Sequence, residues 1–219
     1  MRKYLAEAIG TFTLVFAGTG AVVIDNVTHG GVTHVGIAMT FGLVIMALIY
    51  ALGDVSGAHF NPAVIIGFCL AGRFRAAAVP GYLIGQVIGG LAASASLLAM
   101  FGNRASLGAT LPAGSACQSF FLEMILTAML MFVILCVATG SKEVGTMAGI
   151  AIGGVVGLEA MFAGPISGAS MNPARSLAPA LISGNLNGLW VYLTAPVIGA
   201  GLAVPIWLNV RNSVERTES

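Results

Sequence analysis

Long apolar runs, separated by short polar breaks, fill almost the whole chain. A helix that crosses a membrane needs about 20 apolar residues. Six runs have that character: 4–25, 34–53, 79–101, 117–139, 146–163 and 187–208. Two further stretches, 61–71 and 172–183, are only about 11 residues long, or about 16 Å of helix at 1.5 Å per residue. That is half of a hydrocarbon core of about 30 Å. Neither can cross alone, whereas two entering from opposite faces and meeting end to end make one crossing. The pattern predicts an all-α membrane protein of six transmembrane helices and two re-entrant half-helices.

The short stretches open on related words, GAHFNPAV at 57–64 and GASMNPAR at 168–175. The likeness extends further: Glu7 in the first span pairs with Glu123 in the fourth, and YLIGQVIGGLAA (82–93) resembles YLTAPVIGAGLA (192–203). The chain thus reads as one channel domain, 1–219, built from repeats at about 4–101 and 117–208. Three spans lie between the two motifs, so the second copy is inverted in the membrane. Inverted repeats with broken helices put a transport site near the midplane, at the repeat interface. Gly81, Gly85 and Gly89 recur every four residues and let backbones approach closely.

Composition agrees with a lipid solvent. The 219 residues are 58% hydrophobic and 8% charged, against about 25% charged in soluble domains. A net charge of +1 gives no reason to expect a nucleic-acid partner. Arg2, Lys3, Arg73, Arg75, Lys142, Arg211 and Arg216 fall on one side of the predicted topology, and Arg104 on the other. The bias puts both termini in the cytoplasm and the protein in a cell membrane, plasma or inner. The N-terminal run has the flanks of a signal peptide, but Glu7 interrupts it and the apolar stretch continues to Ile24, so a retained span is expected. Cys69, Cys117 and Cys136 lack CxxC spacing and are expected as buried reduced thiols. No metal site and no cofactor is expected.

Asn followed by Pro is a helix start, with Asn at the N-cap and Pro in the first turn. Each half-helix therefore begins at Asn61-Pro62-Ala63 or Asn172-Pro173-Ala174. The Asn oxygen caps the N–H of Ala63 or Ala174, leaving the amide NH₂ free to donate. Gly57, Ala58 and His59, and likewise Gly168, Ala169 and Ser170, run non-helically at membrane depth, which is tolerated only inside protein or along an aqueous cavity. Their carbonyls form a ladder of acceptors. A water accepting from both amides turns its hydrogens outward and breaks any relay of protons, while the converging helix dipoles repel cations.

The paired Asn-Pro-Ala words, Arg175 three residues after Asn172, and the paired glutamates resemble the aquaporin (major intrinsic protein) family over essentially the whole chain. The resemblance implies a six-span hourglass with its own pore, assembled as a homotetramer, with Glu7 and Glu123 bonded behind the carbonyl ladders. It puts the constriction at Phe41, Ala160, Ala169 and Arg175. Water-selective members have a His where this chain has Ala160. The familiar glycerol facilitators have a second aromatic where it has Ala169. GPISGASMNPARSLAPA, followed by LWVYLTAP, is most similar to the nodulin-26-like branch. That likeness implies a passive channel for glycerol, urea, metalloid hydroxides such as boric or arsenous acid, and water, with a mainly water-selective pore as the alternative.

Other functions fit less well. Ser, His and Glu occur within spans but form no recognisable triad. A proton-coupled transporter needs a carboxylate in the path, and Glu159, nearest to Ala160, points about 100° away from it around the helix. Glu159 is expected to bond a neighbouring helix or loop from behind the constriction. Asp25 and Asp54 lie at span ends as loop-capping or interfacial groups, and His29 and His34 border the first outer loop.

Overall fold

The computed structural model describes residues 1–141 and 145–217, with side chains described through residue 211. Lys142 and the side chain of Arg216, both expected on the inner face, lie outside the described residues. Six long helices have the length and apolarity to cross a membrane. They are α1 (Arg2–Val27), α2 (Thr33–Ser56), α4 (Val79–Phe101), α5 (Ala116–Ala138), α6 (Ala148–Ser167) and α8 (Leu189–Thr217). Two short helices, α3 (Pro62–Leu70) and α7 (Pro173–Ser183), occupy the predicted half-spans. The first five spans begin and end within a few residues of the apolar runs, whereas α8 continues past the predicted end at 208. Asp25 caps the start of α2 as expected, its Oδ1 accepting from the N–H groups of Val32 and Thr33.

Within the first half α1 packs on α2 and α4, and within the second α5 packs on α6 and α8. The half-helices cross over: α3 lies mainly against α8, and α7 mainly against α4. The halves therefore interlock and do not merely abut. Glycines set the spacing. A Cβ at Gly89 would come 2.1 Å from the carbonyl oxygen of Ala8, and one at Gly199 would come 2.2 Å from that of Met124. Equivalent helix pairs of the two halves thus approach backbone to backbone, as small residues permit in a bilayer.

The loops leading into α3 and α7 carry an unusual backbone. Gly57, Ala58 and Phe60 have positive φ, and so do Gly168, Ala169 and Met171. Left-handed non-glycine residues cost about 1–2 kcal/mol each, so something must hold them. Glu7 does so in the first half, accepting from the N–H groups of His59 and Phe60 at 3.0 and 2.8 Å, and from Ser56 Oγ at 2.7 Å. Glu123 does so in the second, accepting from the N–H groups of Ser170 and Met171 at 2.9 and 2.8 Å, and from Ser167 Oγ at 2.7 Å. Both glutamates are fully buried. Tyr82 and Tyr192, matched in the repeat, donate to the carbonyls of Ser56 and Ser167.

Two expectations are corrected. Glu159 is fully buried, but neither carboxyl oxygen has a hydrogen-bond partner among the described residues. Its neighbours on the packed helices present no donor to it, so it does not brace the constriction by a bond. The cysteines are free but not buried: Cys69 and Cys136 are half-buried and Cys117 is exposed. In a membrane protein an apolar run packs against lipid as well as protein, and Cys117 stands at the outer surface of α5.

Replacing Glu123 by Ala strips two loop N–H groups and a serine hydroxyl of their acceptor, at about 1–3 kcal/mol for each buried group. The E123A protein is expected to lose its monodisperse peak on heating in detergent well below the wild-type temperature, and E7A likewise. Glu159→Met removes two unpartnered oxygens at similar volume. It is expected to raise that temperature, since an unpaired buried polar group costs several kcal/mol.

Candidate functional site

Each half-helix starts as its sequence dictates. Asn61 and Asn172 take extended backbone at the N-cap, with Pro62 and Pro173 opening the helix. Asn61 Oδ1 accepts from Ala63 N–H at 2.9 Å; Asn172 Oδ1 accepts from Ala174 and Arg175 N–H at 3.0 and 3.2 Å. The amides are less free than the sequence implies. Asn61 Nδ2 donates to the carbonyl of Met171 at 2.7 Å, and Asn172 Nδ2 donates to that of Phe60 at 2.8 Å. Each Asn thus caps its own helix and crosses to the loop of the other, which locks the two N-termini together. An NH₂ group has two donors, so one N–H of each remains for a solute.

Both asparagines line one elongated cavity. It offers about 130 Å³ to the centres of water-sized molecules, well above the roughly 10–15 Å³ that a single water requires. The residues that line it include Gly57, Ala58 and His59 from the first loop and Ala169 and Ser170 from the second. Ile45, Ile152, Leu130 and Ile134 are among its apolar residues. Gly168 terminates α6 with a positive φ, and a Cβ there would fall 2.9 Å from Thr110 Cγ2. The ring of His59 is packed edge-on against Phe68, Phe74 and Tyr82, as expected of a loop residue that contributes backbone.

Phe41, Ala160, Ala169 and Arg175 all border this cavity, and all four are buried. The guanidinium carbon of Arg175 lies 4.9 Å from the ring centroid of Phe41, within cation–π range. Arg175 Nη1 donates to the carbonyl of Gly108 at 2.8 Å. Glu159 does not border the cavity.

Several residues that build this site escaped the sequence reading. Gly108 belongs to a short 3-10 turn, Ala105–Gly108, in the connection between α4 and α5. That connection folds inward, burying Leu107 completely, and presents the acceptor for Arg175. Nothing in its composition distinguishes it from a surface loop except the apolar Leu107. Thr110 Oγ1 donates to Ser176 Oγ at 2.7 Å, and Ser176 in turn bonds Ser170. Gly18 gives Phe41 its place: a Cβ there would fall 2.1 Å from the ring. Glycines in a span read as helix packing, and only the fold reveals which one faces the Phe41 ring.

The comparisons with known proteins agree with this geometry. The family model described as major intrinsic protein matches residues 1–207. Aquaporin NIP1-4 of Oryza sativa subsp. japonica is 47% identical over 219 residues, covering 100% of this chain and 80% of the relative. Nodulin-26 of Glycine max is 46% identical over 201 residues, covering 91% and 74%. Among solved structures, the aquaglyceroporin from Plasmodium falciparum superimposes with a TM-score of 0.82 at 26% identity, over 94% of each chain. Six spans, two half-helices capped by paired asparagines, and a match along nearly the full length together make this chain a member of the major intrinsic protein family.

Proposed function

We propose that the chain is a passive channel for water and small uncharged solutes that excludes ions and protons. One observation carries the reading: Asn61 and Asn172, each locked by its own cap and by the opposite loop, leave amide N–H groups in a cavity lined also by the irregular loops and by apolar side chains. A neutral hydroxyl or amide solute exchanges its hydration for those groups. A cation meets the positive ends of two helices and Arg175.

Phe41, Ala160, Ala169 and Arg175 are the proposed selectivity filter. Two of the four are alanine, so only Phe41 and Arg175 fill that level with large side chains. Small walls favour solutes larger than water, and glycerol, urea and metalloid hydroxides such as boric or arsenous acid are the proposed cargo. Differences of a methylene or a hydroxyl are worth about 1–3 kcal/mol in such a site, so broad selectivity is expected. The contact between Arg175 and Phe41 favours a second reading, a pore that passes mainly water, by closing one side of the opening.

The whole chain is taken as one channel unit of two repeats. We infer both termini in the cytoplasm of a cell membrane, because Arg2, Lys3, Arg73, Arg75 and Arg211 share that side of the topology. A homotetramer is inferred from the family. The wholly apolar groove of Met124, Ile125, Met129, Phe132, Leu202 and Ile206 between α5 and α8 supports burial against lipid or another subunit.

Proteoliposomes tested by stopped-flow with water, glycerol, urea, boric acid and arsenite decide between the readings. Movement of water alone rejects the broad channel; movement of none rejects both. Ala160→His is expected to lower glycerol and boric acid permeability about tenfold more than water permeability. Equal effects on all solutes overturn the filter assignment. Arg175→Ala removes the buried positive charge and is expected to admit a proton leak, read by a trapped pH-sensitive dye.

A further inference from the structure

Proline has no N–H, so Pro165 inside α6 deprives the carbonyl of Met161, four residues back, of its helical donor. A backbone acceptor that has lost its helical partner takes another donor. His34, near the start of α2, supplies it: its Nε2 lies 2.7 Å from the Met161 oxygen. Because a carbonyl only accepts, Nε2 carries the proton. The ring is seated over Gly164, where a Cβ would come 2.9 Å from the imidazole Cε1. Met161, Gly164 and Pro165 therefore form, within about one turn of α6, a receptor for one side chain of α2.

The position of this contact gives it consequence. Met161 directly follows Ala160. His34 stands seven residues before Phe41, about two turns along the same face of α2. On the other side of Phe41, α2 and α6 meet backbone to backbone, where a Cβ at Gly42 would come 2.7 Å from the Gly153 carbonyl. The two helices are thus in contact at Gly42 and tied by His34, and the walls bearing Phe41 and Ala160 lie between these points. We propose that His34 is a positioning residue for the constriction. Its Nε2–H replaces the N–H that Pro165 removes, and so sets the spacing between Phe41 and Ala160. The inference rests on the reading of those two residues as filter walls.

The test measures the ratio of glycerol to water permeability in the same proteoliposomes, which does not depend on how much protein inserts. H34F keeps a ring over Gly164 and loses the donor; it is expected to raise the ratio about fivefold, commensurate with one lost hydrogen bond. H34Q keeps a donor and is expected to stay near the wild-type ratio. P165A returns an N–H to α6, so H34F/P165A is expected to match P165A alone. A wild-type ratio in H34F overturns the proposal. So does an H34F shift that persists in H34F/P165A, because the orphaned carbonyl is then not its cause. Where H34F does not insert, H34A carries the same expectations. Absence of any flux through the wild-type protein defeats the channel reading instead, so the two failures are distinguishable.

Discussion

The hydrogen bonds that Glu7 and Glu123 accept from loop N–H groups are the interaction on which the rest of this structure depends. A bilayer offers no water to satisfy backbone, so irregular chain at membrane depth survives only if its polar groups find partners in the protein. The loops before α3 and α7 have turned their N–H groups to one side, toward a carboxylate. In the proposed channel this leaves their carbonyls for the cavity, which residues of both loops line. The positive φ at Ala58, Phe60, Ala169 and Met171 is the local cost of that turn. Each carboxylate offsets it with two backbone N–H donors and a serine hydroxyl. Remove the carboxylate and the loop has no reason to keep its carbonyls turned outward.

From this follows the meeting of the asparagines. Each loop ends at a residue, Phe60 or Met171, whose N–H is held by its own glutamate and whose carbonyl is gripped by the Asn of the opposite loop. The two halves are therefore coupled twice through symmetric bonds, in addition to the crossing of α3 onto α8 and α7 onto α4. The symmetry is not complete. Gln86 Nε2 donates to Glu7 at 2.7 Å, whereas the repeat puts Pro196 at the matching position and gives Glu123 no such partner. The second half has instead the hydroxyl chain from Thr110 through Ser176 to Ser170. One loop is braced from behind by an amide, the other from the side by serines.

The sequence displayed the fold well, because its signals are long and redundant. Six apolar runs, two half-length runs and a repeated Asn-Pro cap specify the elements with little competition. The amide geometry was only half legible. Helix-capping rules assign the Asn oxygen to Ala63 and Ala174, but they are local and cannot say that the nitrogen reaches a carbonyl more than a hundred residues away. The same limit hid Gly108. A backbone carbonyl has no sequence signature, and its partner Arg175 is distant in the chain. Gly168 and Gly57, aligned by the repeat, both end a helix with left-handed backbone, but only the fold shows that Thr110 stands beside Gly168 where a Cβ would otherwise fit. Glu159 shows the opposite failure. Burial of a carboxylate implies a partner by rule, and none of the described residues supplies one.

The proposed filter is a layer with less redundancy than the scaffold beneath it. The asparagines are held by two or three bonds each, and their geometry tolerates little change. The filter level rests on fewer supports: the Gly108 carbonyl behind Arg175, the gap at Gly18 that admits Phe41, and the tie from His34 to Met161. A methyl group added at Gly18 displaces the Phe41 ring, and with it the face that covers the Arg175 guanidinium. Such a change leaves the carboxylate struts and the crossed amides untouched. The chain thus separates two tasks physically. On the proposed function, ion exclusion is built into bonds that also hold the fold, while solute choice is built into contacts that can vary without endangering it.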